Sequence, residues 1–463
     1  MNKHVASLVL MLGLSALASS PPFAGSAEAA GNGVPSLAPM LEEVTPAVVI
    51  ISTARSRPAP EGLRFLNEEQ MRRFFNDPSA APGQQREPAV RGAGSGVIVD
   101  ADKGYVVTNH HVIDEADVIT VSLQDGREYE AKLLGSDAST DVALLQIEAE
   151  NLQELPFANI EDLRVGDYVV AVGNPFGLGQ TVTQGIVSAL GRSGLNNDNY
   201  EDFIQTDAAI NLGNSGGALV DLEGRLIGIN TAIISGTGTN AGIAFAVPVD
   251  MIASVMSHLE RDGEVRRGQL GVQIQDLNAA MEQALQTGAG KGALVTSVLP
   301  GSAAEAAGIQ ASDVIVEVDG RRIESGRELR NLIGLMRRDQ AVELLVYRDG
   351  QAQRISAVVG GGQPVVAANT QDSGRAPADP VYQGAQLRSL DPVAGAQRGV
   401  EVVSVEQGSP AWQAGLRAGD VIYEVNRSEV ATLQEFNQRV DANAPVTALS
   451  VLRENRRMLV IMS

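Results

Sequence analysis

A serine enclosed by glycines lies near the middle of this 463-residue chain, in the segment Gly213-Asn214-Ser215-Gly216-Gly217. Glycines allow a sharp turn and a close approach of the backbone to a substrate, so peptide N–H groups can point at an oxygen that becomes negative. A tight turn in which the serine only bonds its own backbone has the same pattern. The segment therefore predicts an acylating nucleophile if a base and an acid accompany it.

Histidine is the usual base for such a serine, and the chain has four: His4, His110, His111 and His258. His4 lies in an N-terminal targeting segment. His258 belongs to an amphipathic helical pattern, for which a solvated surface side chain is the simplest interpretation. The adjacent pair His110 and His111 ends a β-branched strand. We expect the base to be one of this pair.

The order of the candidate residues separates two folds that use a glycine-flanked serine. In an α/β-hydrolase a helix follows the serine, and the acid and histidine come later in the chain. Here two β-rich runs around Glu223-Gly224 follow Ser215 and predict a hairpin. Asp141 begins an apolar strand between the histidines and Ser215, with Asp137 as a competing acid in the preceding loop. The order His, Asp, Ser is that of chymotrypsin-like proteases.

Three blocks around these residues resemble the catalytic blocks of the HtrA/Deg (Do-like) family of serine proteases: Thr108-Asn109-His110-His111-Val112, Asp141-Val142-Ala143-Leu144-Leu145 and Gly213-Asn214-Ser215-Gly216-Gly217-Ala218-Leu219. The resemblance implies that Ser215 is the nucleophile, His111 the base and Asp141 the group that orients the imidazole. It favours His111 over His110 by the spacing to Val112. Adjacent residues of an extended segment also face opposite ways, so only one of the two can meet Ser215.

The resemblance extends to the parts of the site that hold the substrate. It implies an oxyanion hole formed by Gly213, Asn214 and Ser215. It also implies that three isoleucines line the pocket for the residue before the scissile bond: Ile210, Ile233 and Ile234. Because this pocket carries no charge, we expect cleavage after small or β-branched aliphatic residues.

Composition excludes several classes of function. The chain has 56 acidic and 35 basic side chains and a formal net charge of −21, which argues against nucleic acid as a partner. It has no cysteine, so disulfides and cysteine-bound metals are excluded. The sequence also lacks a nucleotide-binding loop. We expect an ATP-independent enzyme without cofactor or metal.

The N-terminus has the pattern of a cleaved secretory signal over residues 1–29. Lys3 precedes a short apolar stretch, and small residues end at Ala27-Glu28-Ala29. No other run approaches the roughly 20 apolar residues of a membrane helix, so no transmembrane anchor is expected. For a protein resembling the HtrA/Deg family, this predicts a periplasmic location.

An internal repeat divides the second half of the chain. Val295–Ser302 matches Val402–Ser409, and Asp313-Val314-Ile315 matches Asp420-Val421-Ile422, at a constant offset of 107 residues (295 to 402 and 313 to 420). The repeated unit resembles a PDZ domain. We expect a mainly β chain, with a chymotrypsin-like double β-barrel over residues 30–260 and two α+β PDZ domains at 264–360 and 381–463. Residues 361–380 read as a linker and 55–92 as the family's regulatory LA loop.

PDZ domains bind an extended peptide at a sheet edge and hold its terminal carboxylate on loop amides. In the first copy the segment resembling that loop is Gly268-Gln269-Leu270-Gly271. Arg192 matches a family arginine of the sensor loop between PDZ domain and active site. The resemblance thus implies regulation by C-terminal peptides, unfolded protein substrates, and homotrimers that join into larger cages. A holdase chaperone with secondary proteolysis is the alternative function.

Overall fold

The structure is a computed structural model that describes residues 36–54, 90–174, 180–193, 200–211, 213–233, 242–361, 381–390, 398–441 and 444–462. The side chains of residues 90–93, 232, 233 and 381 are not described. The predicted signal peptide, residues 55–89 of the predicted LA loop, Ile234 and residues 362–380 of the predicted linker lie outside the described residues. Within the described part, each helix is too short or too polar to cross a membrane.

The first barrel is a seven-stranded antiparallel sheet in the order β5-β4-β1-β2-β3-β7-β6. Its strands are β1 (Val48–Ala54), β2 (Val90–Asp100), β3 (Tyr105–Thr108), β4 (Val118–Ser122), β5 (Glu128–Glu130), β6 (Lys132–Asp137) and β7 (Val142–Gln146). The alternation expected of strands is visible in β1, where Val49 and Ile51 enter the barrel core and Val48 faces a second apolar cluster. Helix α1 (Ala38–Val44) precedes this barrel, and the short helix α2 (His110–Ile113) follows β3.

The second barrel is closed, in the order β10-β13-β12-β11-β8-β9. Its strands are β8 (Tyr168–Gly173), β9 (Thr181–Arg192), β10 (Phe203–Thr206), β11 (Ala218–Val220), β12 (Leu226–Ile233) and β13 (Ala244–Pro248). Strands β11 and β12 form the hairpin predicted after Ser215. An apolar cluster joins the two barrels and fixes them against each other, and the boundary between them beside Ser215 is called the cleft below.

Helix α3 (Val249–Asp262) leads from the second barrel to the first PDZ-like domain and ends at Gly263, whose φ of 72° is left-handed. Its apolar side closes the cluster between the barrels. The interpretation of His258 as a surface residue is wrong, because this side chain is 1% exposed. Its Nε2 lies 3.0 Å from the carbonyl of Leu335 in the next domain. The helix is therefore covered on two sides, which its periodicity alone did not indicate.

Two α+β domains follow, and the prediction of a mainly β chain is confirmed. The first contains β14 (Val272–Asp276), α4 (Ala279–Leu285), β15 (Ala293–Val298), α5 (Ala303–Ala306), β16 (Val314–Val318), β17 (Arg321–Arg322), α6 (Gly326–Leu335), β18 (Ala341–Arg348) and β19 (Gln351–Val358). The second contains β20 (Val381–Tyr382), β21 (Ala385–Ser389), β22 (Val400–Val405), α7 (Pro410–Gln413), β23 (Val421–Val425), β24 (Ser428–Glu429), α8 (Leu433–Arg439), β25 (Thr447–Arg453) and β26 (Arg456–Met462). A bridge between β15 and β26 and a shared apolar cluster join the two domains.

Candidate active site

The two residues predicted as base and acid meet at the rim of the first barrel. His111 lies on α2, and its Nδ1 is 2.8 Å from Asp141 Oδ2. The main-chain N–H of His111 also donates to Asp141 Oδ1 at 3.0 Å. On the other side, the Thr231 hydroxyl donates to Asp141 Oδ2 at 2.5 Å. Three donors thus hold the carboxylate in one orientation.

The electrostatics of Asp141 follow from this arrangement. Burial alone would raise the pKa of its carboxyl, but the hydrogen bonds and charge of His111, together with the hydrogen bond from Thr231, outweigh burial and lower the pKa below its ordinary value. The carboxylate therefore stays ionised and keeps His111 Nδ1 protonated, which leaves Nε2 as the acceptor.

The backbone of Asp141 is held as firmly as its side chain. Its φ is 58°, a left-handed conformation that non-glycine residues rarely adopt. Its carbonyl accepts the main-chain N–H of His110 at 3.2 Å and the side-chain amide of Asn109 at 3.1 Å. These two bonds, from residues at the start of α2, stabilise the strained backbone at Asp141.

The competing residues have other partners. His110 Nδ1 lies 3.1 Å from the hydroxyl of Ser136. Asp137 accepts the main-chain N–H and the hydroxyl of Thr140, at 3.1 and 2.6 Å, and so stabilises the turn that precedes Asp141. The structure brings His111 and Asp141 together and directs His110 and Asp137 elsewhere.

Ser215 enters the cleft from the second barrel. Its hydroxyl donates to the carbonyl of Thr231 at 3.1 Å rather than to His111. Thr231 therefore contacts both sides of the site, through its hydroxyl to Asp141 and its carbonyl to Ser215. The sequence analysis missed this residue. Its place in the hairpin after Ser215 was a usable signal, because the returning strand of a hairpin lies beside the segment that precedes it.

The loop before Ser215 is arranged to leave two amides available. Gly213 has a φ of 98°, and the N–H of Asn214 donates to Asn211 at 3.0 Å. The amides of Gly213 and Ser215 donate to none of the described groups. The Asn214 side chain is 1% exposed, so it supports the loop from beneath.

The residues predicted for the substrate pocket are only partly described. Ile210 is buried in the core of the second barrel, with Ile204 and Ile227. Ile233 ends strand β12, but its side chain is not described, and Ile234 lies outside the described residues. Among the described residues, no group of three acidic or histidine side chains could hold a metal ion.

Arg192 and the segment around it lie against the first PDZ-like domain. Arg192 itself bonds within the barrel, its Nε donating to Gln205 at 2.9 Å. The contact across the domains is made by its neighbour Gly191, whose carbonyl accepts Arg327 of α6 at 2.6 Å. Two further bonds to main-chain carbonyls follow the same pattern: the Asn331 amide donates to Glu201 at 2.8 Å and Arg337 to Ser257 at 3.1 Å.

A second contact between the domains lies at Asp137, next to the turn before Asp141. Arg267 pairs with Asp137 at 2.6 Å, and its guanidinium stacks 4.1 Å from the centre of the Tyr200 ring. Gly334 of α6 lies against the same ring, where a Cβ would come within 2.2 Å of a ring carbon. Arg267 thus connects the start of the first PDZ-like domain to the turn before Asp141.

The predicted carboxylate loop follows Arg267 directly. The amides of Gly268 and Gln269 are already used, donating to Gly334 at 3.3 Å and to Gly360 at 2.8 Å. The amides of Leu270 and Gly271 donate to none of the described groups. The two amides that can hold a carboxylate are therefore at the end of the predicted segment, next to β14.

Comparison with known families agrees with this division of the chain. Residues 94–229 match the trypsin-like peptidase domain. Residues 268–359 and 401–453 each match the PDZ domain.

Similar proteins match over most of the chain. A probable periplasmic serine protease do/HhoA-like of Haemophilus influenzae is 45% identical over 428 residues, which are 90% of each chain. The periplasmic serine endoprotease DegP of Salmonella typhimurium is 43% identical and 98% of each chain is covered. The periplasmic pH-dependent serine endoprotease DegQ of Escherichia coli is 43% identical, with 93% of this chain and 91% of the relative covered. Among solved structures, the HtrA-type protease AlgW with tripeptide has a TM-score of 0.55 and 40% identity, covering 71% of this chain and 98% of its own.

Proposed function

Because the chain belongs to the HtrA/Deg family of serine proteases, we propose that Ser215, His111 and Asp141 are its catalytic triad and that it degrades unfolded envelope proteins in the periplasm without ATP. The observation that carries the proposal is the 2.8 Å pair between His111 and Asp141, which Thr231 links to Ser215 by bonding both Asp141 and the serine hydroxyl. The periplasmic names of its relatives and the signal pattern of residues 1–29 support the location.

In the proposed mechanism, the Ser215 hydroxyl leaves the Thr231 carbonyl and donates to His111 Nε2. The proton passes to Nε2 as the serine oxygen attacks the peptide carbonyl, and Asp141 stabilises the imidazolium. The amides of Gly213 and Ser215 stabilise the negative oxygen. The imidazolium then protonates the leaving amine, and water repeats the sequence on the acyl-enzyme.

The test compares three alanine variants on an unfolded protein substrate. Ser215→Ala and His111→Ala should abolish cleavage while leaving the fold intact. His110→Ala should keep substantial activity, since that side chain bonds Ser136 and not the acid. Normal turnover in His111→Ala with loss of turnover in His110→Ala would reverse the assignment.

The pocket proposed from Ile210, Ile233 and Ile234 should select small or β-branched aliphatic residues before the scissile bond. The burial of Ile210, five residues before Ser215, among the apolar side chains of the second barrel supports an apolar wall. Mass-spectrometric mapping of cleavage sites in an unfolded substrate tests this selection. Cleavage mainly after basic or large aromatic residues would contradict it.

Regulation by C-terminal peptides is the second part of the proposal. The unused amides of Leu270 and Gly271 suit a terminal carboxylate, and the edge of β14 suits an added strand. The effect of a peptide bound at this edge would be transmitted through Arg267 to the turn before Asp141. It would also pass through α6 to the segment that ends in Arg192. A peptide activates only if it binds the competent arrangement more tightly than the resting one.

A matched pair of peptides tests this regulation. A peptide with an apolar free C-terminus should stimulate cleavage of a small substrate, and the same peptide with a C-terminal amide should not. Arg192→Ala should weaken the stimulation without removing basal cleavage. Equal stimulation by acid and amide forms would show that the loop does not bind a carboxylate.

A homotrimer, with larger cages built from it, is the proposed assembly. Support comes from apolar side chains on the second barrel: Tyr168 is 57% exposed and lies beside the exposed Leu222 in a shallow cleft. We expect another copy of the chain to cover them. Light scattering of wild type and Tyr168→Glu tests this, and an active monomeric wild type would contradict it.

A holdase role is favoured by one observation: the proposed peptide edge and Ser215 lie in different domains, so capture does not require hydrolysis. Ser215→Ala should then still suppress aggregation of an unfolded protein. If it does not, the protein acts by proteolysis alone.

A further inference from the structure

Ser95 is a buried residue of the first barrel that contacts the serine loop of the second. It lies on β2, its side chain is 0% exposed, and its hydroxyl donates to the carbonyl of Gly213 at 2.7 Å. Its main-chain N–H donates to the carbonyl of Ser215 at 2.8 Å. One residue from across the cleft therefore donates to the carbonyls of the two residues that flank Asn214.

The hydroxyl of Ser95 is also an acceptor, which fixes its direction. The main-chain N–H of Asn174, just after β8, donates to Ser95 Oγ at 2.8 Å. A hydroxyl has one proton, so with an N–H already directed at its oxygen, that proton is left for Gly213. The relay runs from Asn174 through Ser95 to Gly213 and crosses between the barrels twice.

The surroundings leave little freedom for this residue. Its own carbonyl accepts the Thr108 hydroxyl at 2.7 Å, and a Cβ on Gly216 would lie 2.0 Å from that carbonyl oxygen. The strand and the serine loop approach so closely that only glycine fits at position 216. The hydroxyl of Ser95 is thus placed by the packing around it.

Gly213 is the residue that needs such a restraint. Its φ of 98° lies where glycine has alternative conformations of similar energy. A change of ψ at Gly213 would rotate the Gly213–Asn214 peptide, and the accompanying rotations would turn the amide of Gly213 or Ser215 away from the substrate. Because the Ser95 hydroxyl donates to the Gly213 carbonyl, it favours one orientation of that peptide and so one conformation of the loop.

We propose that Ser95 is a positioning residue of the oxyanion hole: its hydroxyl holds Gly213 in the conformation that directs the amides of Gly213 and Ser215 at the substrate carbonyl oxygen. The inference rests on the proposed function, which assigns those two amides. It adds a residue of the other barrel that acts through Gly213 without touching the substrate.

The test separates positioning from simple stability. In Ser95→Ala, kcat for a small peptide substrate should fall about 10- to 100-fold, less than is typical when a donor is removed outright, while KM stays within about 2-fold. Affinity for a peptide boronic acid, which forms a tetrahedral adduct with the serine, should fall in parallel with kcat. A purely structural role would lower the melting temperature and leave kcat, KM and boronate affinity unchanged below it.

Two further variants complete the experiment. Ser450→Ala is the matched control, because it removes another buried hydroxyl bond, to Glu424 in the second PDZ domain, and should leave kcat unchanged. Ser95→Cys keeps the volume but donates weakly, so its kcat should lie between those of wild type and Ser95→Ala; it also serves if the alanine variant does not fold. Wild-type kcat and boronate affinity in a folded Ser95 variant would overturn the inference. Cleavage by Ser215→Ala would instead overturn the proposed function.

Discussion

The two PDZ domains share one fold and differ at the edge where a peptide would bind. In the first, β14 pairs only with β15 in the described part of the chain, so its other edge is open. In the second, the equivalent strand β21 pairs with β22 on one side and with β20 on the other. The Tyr382 ring of β20 packs edge-on against Phe436 of α8, with 5.2 Å between ring centres.

The two domains also contact different neighbours. The first contacts the protease domain through Arg267 and α6, as described above. The second contacts the first: Arg427 pairs with Asp349 and donates to the carbonyl of Leu285. A shared fold therefore does not imply a shared function, because the function of each domain depends on its open strand edge and on the domain it contacts. We infer that the first domain is the peptide sensor and the second its support.

The largest effects are expected from the buried ion pair that both domains contain. Asp313 binds Arg348 and Asp420 binds Arg453, each through two bonds of 2.6 to 2.7 Å, and both aspartates are buried. Asp313→Asn and Asp420→Asn should each cost about 3 kcal/mol, the low end for a broken buried pair, because the arginine that loses its carboxylate is itself 24% or 29% exposed. Urea unfolding, followed for the second domain by the single tryptophan, measures this loss.

The comparison predicts a difference despite this equal loss of stability. Only Asp313→Asn should abolish stimulation by peptides at a temperature where both variants remain folded. Equal loss of stimulation in Asp420→Asn would mean that the second domain is also a sensor.

The next effect concerns the glycine that directly precedes strand β14 in the first PDZ domain and strand β21 in the second. Gly271 and Gly384 have φ of 79° and 92°, and a Cβ would lie 2.3 Å from Ser302 and 2.2 Å from Ser409. Alanine at either position should cost about 1–3 kcal/mol through strain. Because Gly271 also supplies one of the two unused amides, peptide affinity, measured by fluorescence anisotropy, should fall about 5-fold or more for Gly271→Ala only, since each 1.4 kcal/mol is tenfold. Unchanged affinity in Gly271→Ala would argue against the loop.

A smaller effect is expected from the contacts between domains. Arg267→Leu removes the pair with Asp137 and should lower peptide stimulation about 5- to 10-fold, within the range usual for coupling between sites. Basal cleavage of a small substrate should change less. Arg427→Leu is the control, because it removes a contact of the second PDZ domain. If both arginine variants respond alike, the distinction between sensor and support fails.

The smallest effect is a dependence on pH. Burial raises the pKa of Asp202, repulsion from Asp250 raises it further, and Arg327 and Arg321 partly offset this. When the first PDZ domain lies against the protease domain, Asp202 therefore binds a proton more readily than when the domains are apart. The contact between the domains should strengthen as pH falls from this raised pKa toward the ordinary aspartate value. We expect the free energy of this contact to change by less than about 1 kcal/mol. Small-angle scattering should show closer packing of the first PDZ domain at acid pH, and Asp202→Asn should remove the change; an unchanged pH response in that variant would contradict the prediction.

The fold and the triad blocks were predictable because their signals are local. The repeat, the hairpin after Ser215 and the strands β3 and β7 that lie next to His111 and Asp141 follow from periodicity and turn residues. The two-residue turn Gln383-Gly384 also carries a hairpin signal, so β20 could have been expected.

The remaining contacts depend on segments far apart in the chain. Periodicity gives the apolar face of α3 but not what covers its other side, so the burial of His258 was missed. The pairing of Arg267 with Asp137 joins residues 130 positions apart. The partners of Ser95, Gly213 and Asn174, likewise lie in the other barrel and can be identified only when the two barrels are placed together. Sequence patterns identify residues of these kinds only after the tertiary structure places them.

The docking of α6 on the protease domain has a consequence for sequence divergence. Arg327, Asn331 and Arg337 all donate to main-chain carbonyls, which every amino acid carries. These three bonds therefore do not depend on the side chains of the acceptor residues 191, 201 and 257, whereas each donor side chain is required; Gly191 stays restricted by its own φ of 66° and residue 201 by its burial. An insertion or deletion of one residue between β9 and β10 would displace the carbonyl of Glu201 from Asn331. Among relatives, we therefore expect the length of the segment between β9 and β10 to vary less than its side chains. An alignment scored only by residue identity would overlook this constraint.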